Sequence, residues 1–234
     1  MNQILITNAK RRDLLFQTMS SLYENAAEKS SHHLTVVVDG YESYEDRGLV
    51  SEIKDHGAHE IHLVCRRYGA CYARNAGAGS IPKARRHKSL MFIDDDCFFA
   101  KNYDSRLETT ADALPRMIYS PYGHPYNIEE AREEIIFARF PLVISSVAMF
   151  LPWSAFDEIG DWAGDGGTGG SEDFEFCSRA RILGYDFAVL NPYACIHTGL
   201  ISSNGNPIVG AELLRERNAG IERLYDIEGK VIYG

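Results

Sequence analysis

Short apolar runs alternate with amphipathic segments along the first hundred residues of the chain. Four runs rich in aliphatic, β-branched and other apolar residues are predicted to be strands: 3–7, 33–40, 60–66 and 89–94. Segments with helical spacing separate them, beginning at residues 11 (RRDLLFQTMSSLYENAAE), 49 (LVSEIKDHG) and 70 (ACYARNAGAGS). This alternation predicts an α/β fold with a mostly parallel sheet and helices on both of its faces.

The second half of the pattern is less regular but contains no stretch that reads as a linker. It predicts the following elements: a surface loop at 118–127, strand material and then a short helix within 139–160, a glycine-rich segment at 161–170, a helix at 171–184 between a Ser171 cap and Gly184, a strand and turn at 185–199, and a helix at about 208–226. We therefore expect one domain over residues 1–234.

Composition narrows the class of protein. The chain has 234 residues, 45% of them hydrophobic, and a formal net charge of −9, which argues against non-specific nucleic-acid binding. Its five cysteines form no C-x-x-C pair, which predicts reduced thiols and a cytoplasmic location. No apolar run approaches the ~20 residues of a membrane span, so no transmembrane segment is expected. The oligomeric state is left open.

Three consecutive carboxylates, Asp94, Asp95 and Asp96, follow the fourth predicted strand within an apolar run. Asp39 ends the second strand, and the carboxyl ends of parallel strands share one edge, where ligands bind. Side chains alternate along an extended segment, so Asp94 and Asp96 point the same way. Such a pair suits Mg²⁺ or Mn²⁺, which take carboxylate and phosphate oxygens. The alternative is a solvated acidic turn.

Taken together, these segments resemble the GT-A fold glycosyltransferases, specifically the large "family two" group. The resemblance covers about residues 3–199 and rests on motifs in the expected order: ILIT…RRDLLFQTMSSL, LTVVVDG, YGACYARNAGAG, FIDDD, AMFLPWSAFDEIGDW and GGSEDFEFCSRARILGYDFAVLNPYACIH. It implies a Rossmann-like central sheet with a smaller mixed-sheet region on the acceptor side. The domain would divide into a nucleotide-sugar-binding half (about 1–100), an acceptor and catalytic half (about 101–200) and a C-terminal helical tail (201–234).

The resemblance also implies roles for individual residues. Asp39 would contact the nucleobase and Arg74 the donor nucleotide. Asp94 and Asp96 would serve the ribose and the metal–diphosphate, with Asp95 assisting either.

Further along the chain, Asp173 would be the general base of an inverting enzyme, and His197 a metal ligand beside Asp96 and Asp94. The donor would be a nucleoside-diphosphate sugar, with UDP preferred over GDP, and the acceptor is not identified. The segment TNAK replaces the family's usual Pro-Thr-Tyr-Asn, so Thr7 is the donor-binding candidate there and Ala9 replaces an aromatic residue.

Several of these residues have simpler explanations. Glu172 and Asp173 are favourable first-turn acids of a helix, and His197 alone would suit an ordinary hydrogen bond. The glycine-rich segment is a candidate flap that closes over the donor with Trp162. Trp153, and likewise Tyr122 and Tyr126, could stack on an acceptor sugar or merely pack.

The sequence thus predicts a metal-dependent, inverting glycosyltransferase. Two alternatives stay open. One is a sugar-phosphate nucleotidyltransferase of related fold, and the other is a non-catalytic sugar-nucleotide-binding protein.

Overall fold

The structure, a computed structural model, describes residues 2–8, 11–27, 32–41, 48–113, 116–121, 144–163, 171–190 and 194–197. Its strands are β1 (Asn2–Asn8), β2 (His32–Asp39), β3 (Glu60–Val64), β4 (Ser89–Asp94), β5 (Cys97–Phe99), β6 (Met117–Ser120), β7 (Ala148–Pro152), β8 (Asp186–Val189) and β9 (Cys195–His197). Its helices are α1 (Arg12–Asn25), α2 (Leu49–Asp55), α3 (Ala70–Ser80), α4 (Tyr103–Ala113), α5 (Trp153–Ile159) and α6 (Ser171–Ile182).

Seven strands form the central sheet in the order β3-β2-β1-β4-β7-β6-β8. The pairs β3–β2, β2–β1, β1–β4 and β6–β8 are parallel, and β7 pairs antiparallel with both β4 and β6. Among these seven strands β7 alone runs in the opposite direction, which confirms the mostly parallel sheet. Among the described residues, two antiparallel strands, β5 and β9, form a second, smaller sheet.

The inner strands β1, β2 and β4 are buried on both sides because helices cover each face of the sheet, whereas the edge strand β3 is partly exposed. In β4, Met91 and Ile93 belong to the core layer that contains residues of α1, whereas Leu90 and Phe92 belong to the layer that contains residues of α3, α5 and α6. Successive side chains of a strand point to opposite faces of the sheet, and here both faces are buried. The sequence of these strands therefore shows unbroken apolar runs rather than alternation. The four predicted strands and the helix at 70–80 are confirmed.

Helix α3 lies very close to the sheet, as its small residues predicted. A Cβ atom on Gly77 would come within 2.5 Å of Leu5 Cδ1 and 2.6 Å of Val37 Cγ2. This contact fixes the height of α3 above β1 and β2, and with it the position of Arg74 one turn earlier.

Other predictions were less accurate or fall elsewhere. The predicted loop at 118–127 begins with strand β6, and α4 and β5 were not predicted. The predicted helix at 208–226, together with Tyr122 and Tyr126, lies outside the described residues. Among the described residues, no helix is both long and apolar enough to cross a membrane.

Candidate active site

Most of the predicted site residues of the first hundred positions meet at one edge of the sheet. Strands β1, β2 and β4 are parallel neighbours, so Asn8, Asp39 and Asp94 end them side by side. Thr7 is half-buried and lies directly opposite Asp94 in the strand register. This edge is the place where ligands of open α/β sheets bind.

The three consecutive aspartates have different surroundings. Asp94 keeps 23% of its side chain exposed, whereas the side chains of Asp95 and Asp96 are fully buried. The Asp95 carboxylate accepts hydrogen bonds from the Asn8 amide and the Arg11 guanidinium. Burial raises the pKa of Asp95 to about 7, because it outweighs the favourable charge of Arg11. Asp95 therefore lies beneath the edge and anchors the turn after β4.

His197 reaches Asp96 through the small second sheet. Pairing of β5 with β9 sets Cys97 opposite His197, and the His197 Nε2 atom lies 2.8 Å from Asp96 Oδ1. Burial alone would lower the pKa of His197, but the hydrogen bond and charge of Asp96 raise it above its ordinary value. The same contact and Arg11 lower the pKa of Asp96, although burial opposes them.

Asp94, Asp96 and His197 together form a group that fits a divalent cation. One ligand atom from each lies within 4.8 Å of the other two. Two carboxylate oxygens and one imidazole nitrogen are a donor set that Mn²⁺ accepts, with further positions open for phosphate oxygens. The residues that the resemblance implied as metal ligands are thus brought together in one cluster.

Arg74 connects this cluster to Asp173. The Arg74 side chain is 2% exposed, and its Nη2 donates to Asp94 Oδ1 at 3.0 Å and to the Ser146 carbonyl at 3.4 Å. The backbone N–H of Ser146 donates in turn to Asp173 Oδ1 at 3.0 Å. Asp94 and Asp173 are therefore linked through Arg74 and the backbone of Ser146.

Asp173 and Arg74 are both largely buried, but their surroundings differ. Burial raises the pKa of Asp173, and the Ser146 N–H and the charge of Arg74 oppose that rise. Arg74 lies over the indole of Trp162, 5.0 Å from the ring centre. Its Nε and Nη1 atoms are buried and make no hydrogen bond to any described residue.

Asp39 is engaged differently from the other acids of this edge. It is 3% exposed, and its two carboxylate oxygens accept the backbone N–H groups of Tyr68 and Gly69 at 3.0 and 2.9 Å. Gly40, at φ +82°, makes the turn that follows. In this structure Asp39 thus orders the loop before α3, and the contact with a nucleobase stays a prediction.

Both tryptophans discussed in the sequence are core residues. Trp162 is 3% exposed and stacks on Phe176 with ring centres 4.2 Å apart, so the candidate flap does not include it. Residues 164–170 lie outside the described residues. Trp153 is 5% exposed and lies under the Arg86 guanidinium, which favours packing over a role in stacking on an acceptor.

Two contributors to the site were not predicted. Arg11 directly precedes α1 and pairs with both Asp95 and Asp96. Its position after a strand that ends at the ligand-binding edge is a signal that could have identified it. Ser146 contributes its backbone N–H and carbonyl, and its side chain also acts on Asp173. No motif in the sequence singled it out.

Comparison with known proteins shows similarity at the level of the fold. No protein-family profile and no curated protein matches the sequence. Solved structures that match at probability 1.00 include GalNAc-T7 with UDP, GalNAc and Mn²⁺, which is 15% identical with a TM-score of 0.67. They also include a mannosyltransferase from Pyrobaculum calidifontis with GDP-Man and Mn²⁺ and S. aureus TarS with UDP-GlcNAc, each 14% identical with a TM-score of 0.66.

The match covers most of this chain but only part of the others. It spans 84%, 93% and 94% of this chain, and 43%, 60% and 65% of the GalNAc-T7, mannosyltransferase and TarS chains respectively. At this level of identity the comparison establishes the architecture. The chain has the GT-A fold, which these glycosyltransferases share.

Proposed function

We propose that the protein is a metal-dependent glycosyltransferase that moves a sugar from a nucleoside-diphosphate sugar to an acceptor hydroxyl. The observation that carries this proposal is the arrangement of two groups at one edge of the sheet. Arg74 contacts Asp94 of a cluster of two carboxylates and one imidazole, and Ser146 connects Arg74 to the Asp173 carboxylate.

We assign Asp94, Asp96 and His197 to a divalent cation, Mn²⁺ or Mg²⁺, and their grouping supports this assignment. When bound, such a cation would offset the negative charge that develops on the departing diphosphate. Asp94 is held for this role by Arg74, and Asp96 by Arg11 and His197. The ligands named for the three solved structures, UDP, GDP-Man and UDP-GlcNAc, support a donor of this class.

The donor-binding roles of Thr7, Asp39, Arg74 and Asp95 extend this proposal. Thr7 and Asp94 offer side chains at the edge itself, where a ribose or phosphate could be contacted. The Nε and Nη1 donors of Arg74 are buried and have no hydrogen-bond partner among the described residues. This supports a role for Arg74 in binding an anionic ligand. Asp39 and Asp95 lie deeper and would act by fixing the loops that line the donor site.

Asp173 is our candidate for the general base, in an inverting reaction. A base must lie within hydrogen-bond reach of the acceptor hydroxyl and must be ionised. The Ser146 N–H fixes one oxygen of the Asp173 carboxylate, and Arg74 favours its charged form against the effect of burial. The acidic first turn of α6 is also favoured by the helix dipole.

The test separates donor binding from turnover. The protein is incubated with Mn²⁺ and a panel of UDP- and GDP-sugars, and donor binding, donor hydrolysis and sugar transfer are measured. Asp96→Asn is expected to abolish metal-dependent donor binding. Asp173→Asn should bind the donor as the wild type does and lose turnover by about a hundredfold or more.

Glu175→Gln is the matched control, because Glu175 lies on the same helix and pairs with Arg179 away from the site. Full turnover in Asp173→Asn would refute the base assignment. Release of pyrophosphate from a nucleoside triphosphate would indicate a nucleotidyltransferase instead, and donor binding without turnover over the acceptor panel would indicate a binding protein.

A further inference from the structure

Arg11 is a residue of the site that the sequence did not predict, and the proposed reaction uses it only to hold Asp96. It lies between β1 and α1 with 16% of its side chain exposed. Its Nη1 donates to Asp96 Oδ2 at 2.7 Å, and its Nη2 is hydrogen-bonded to Asp95 Oδ1. One guanidinium thus bridges two consecutive buried carboxylates, in the forked geometry that arginine offers.

Two arginines already offset much of the negative charge of the three aspartates before any cation enters. Asp94 pairs with Arg74, Asp95 with Arg11, and Asp96 with both Arg11 and His197. A divalent cation among Asp94, Asp96 and His197 would therefore bring an excess of positive charge into a largely buried region. An anionic ligand that entered with the cation would remove this excess.

We propose that Arg11 is a built-in counter-ion of the candidate cation site, which makes the site bind a divalent cation weakly by itself and strongly together with a nucleoside diphosphate. This inference rests on the proposed function. Arg11 holds Asp96 by Oδ2, on the side away from the contact between Oδ1 and His197, so it orients this carboxylate as well as balancing its charge.

The experiment measures the affinity for Mn²⁺ alone and in the presence of UDP or GDP, corrected for the Mn²⁺–nucleotide complex in solution. In the wild type, Mn²⁺ and nucleotide should strengthen each other's binding. In Arg11→Gln, Mn²⁺ alone should bind about fivefold more tightly or better, and the factor by which the nucleotide strengthens Mn²⁺ binding should fall toward one. Arg11→Lys, which keeps the charge, should resemble the wild type.

Two further variants keep the result interpretable. Arg12→Gln is the control, because the neighbouring Arg12 pairs with Glu52 of α2 and should leave both affinities unchanged. Should Arg11→Gln fail to fold because Asp95 loses its partner, the double variant with Asp95→Asn removes both members of the buried pair and carries the same expectation.

The outcomes separate this inference from the proposed function. If no nucleotide binds to the wild type, the proposed function fails, and the titration with Mn²⁺ alone still decides the role of Arg11. If Mn²⁺ alone binds no more tightly to Arg11→Gln, or to the double variant where it is used, than to the wild type, the inference is overturned.

Discussion

At the carboxyl ends of the parallel strands, Asp94, Asp95 and Asp96 pair with arginines from other elements, whereas three histidines that contact one another lie at the amino ends. At the amino ends, the His33 ring lies 4.8 Å from the His59 ring and 5.8 Å from the His87 ring. Glu60 lies 3.6 Å from His33 and pairs with Arg85. We call these three histidines the imidazole group.

The two ends of the sheet differ in the charge of their side chains. Asp94, Asp95 and Asp96 are buried or half-buried, and Arg11, Arg74 and His197 come from three separate elements to meet them. In the imidazole group, burial lowers the pKa of His59 and of His87, and the charge of His33 lowers both further. The rings of His59 and His87 are therefore mainly uncharged at neutral pH, whereas the acids at the carboxyl ends depend on their counter-ions.

The largest loss of stability is expected when Arg74 is removed from the end of the sheet that carries the aspartates. Arg74→Ala removes the guanidinium that pairs with Asp94 and leaves a space beside the Trp162 ring. The loss of one partner of a buried ion pair lowers the free energy of unfolding by about 3–5 kcal/mol. Denaturant unfolding measures the loss. Arg85→Ala removes a largely exposed partner of Glu60 at the other end and should cost at most about 1 kcal/mol. Equal costs would contradict the contrast between the two ends.

A smaller effect is expected from displacing the helix that carries Arg74. Gly77→Ala forces a methyl group against Leu5 and Val37, which should cost about 1–3 kcal/mol and weaken donor binding as α3 moves. Gly79→Ala is a closely matched control in the same helix, since a Cβ there meets nothing within 4 Å. This control should be neutral or stabilising by up to about 1 kcal/mol. If the two variants are equally stable, α3 does not depend on this close contact.

The smallest expected effect concerns the imidazole group and its pH dependence. The folded-state pKa values of His59 and His87 lie below 6.5, so the unfolded chain takes up protons that the folded chain does not. This contribution to stability is complete above pH 6.5 and is lost as the pH falls through the lower folded-state values. In thermal unfolding, His33→Asn should reduce the difference between pH 7.5 and pH 5. An unchanged difference would show that His33 does not influence its neighbours.

Most of the sheet and of the cation cluster could be predicted because their signals are local. An apolar run such as 89–94 is a strand wherever it lies, and residues that end parallel strands must share an edge. Helix α4 was missed because its segment YDSRLETTADA is mostly polar, and Tyr103 and Leu107 are its only hydrophobic residues in the core. Two apolar positions four residues apart are too weak a periodic signal.

The remaining parts of the site depend on contacts that only the folded chain makes. The sequence shows three similar aspartates, but Asp95 is separated from its neighbours by contacts with Asn8 and Arg11, more than eighty positions away. Ser146 joins Arg74 to Asp173 through backbone atoms that any residue could supply. The burial of Trp162 follows from its stacking on Phe176, which a glycine-rich context conceals.

The most direct test of the central claim is to locate Mn²⁺ in crystals grown with Mn²⁺ and UDP, by anomalous scattering. The account predicts one strong peak within bonding distance of Asp94, Asp96 and His197, with the diphosphate on the same ion, and loss of that peak in Asp96→Asn. A peak elsewhere, or no peak while UDP is bound, would contradict it.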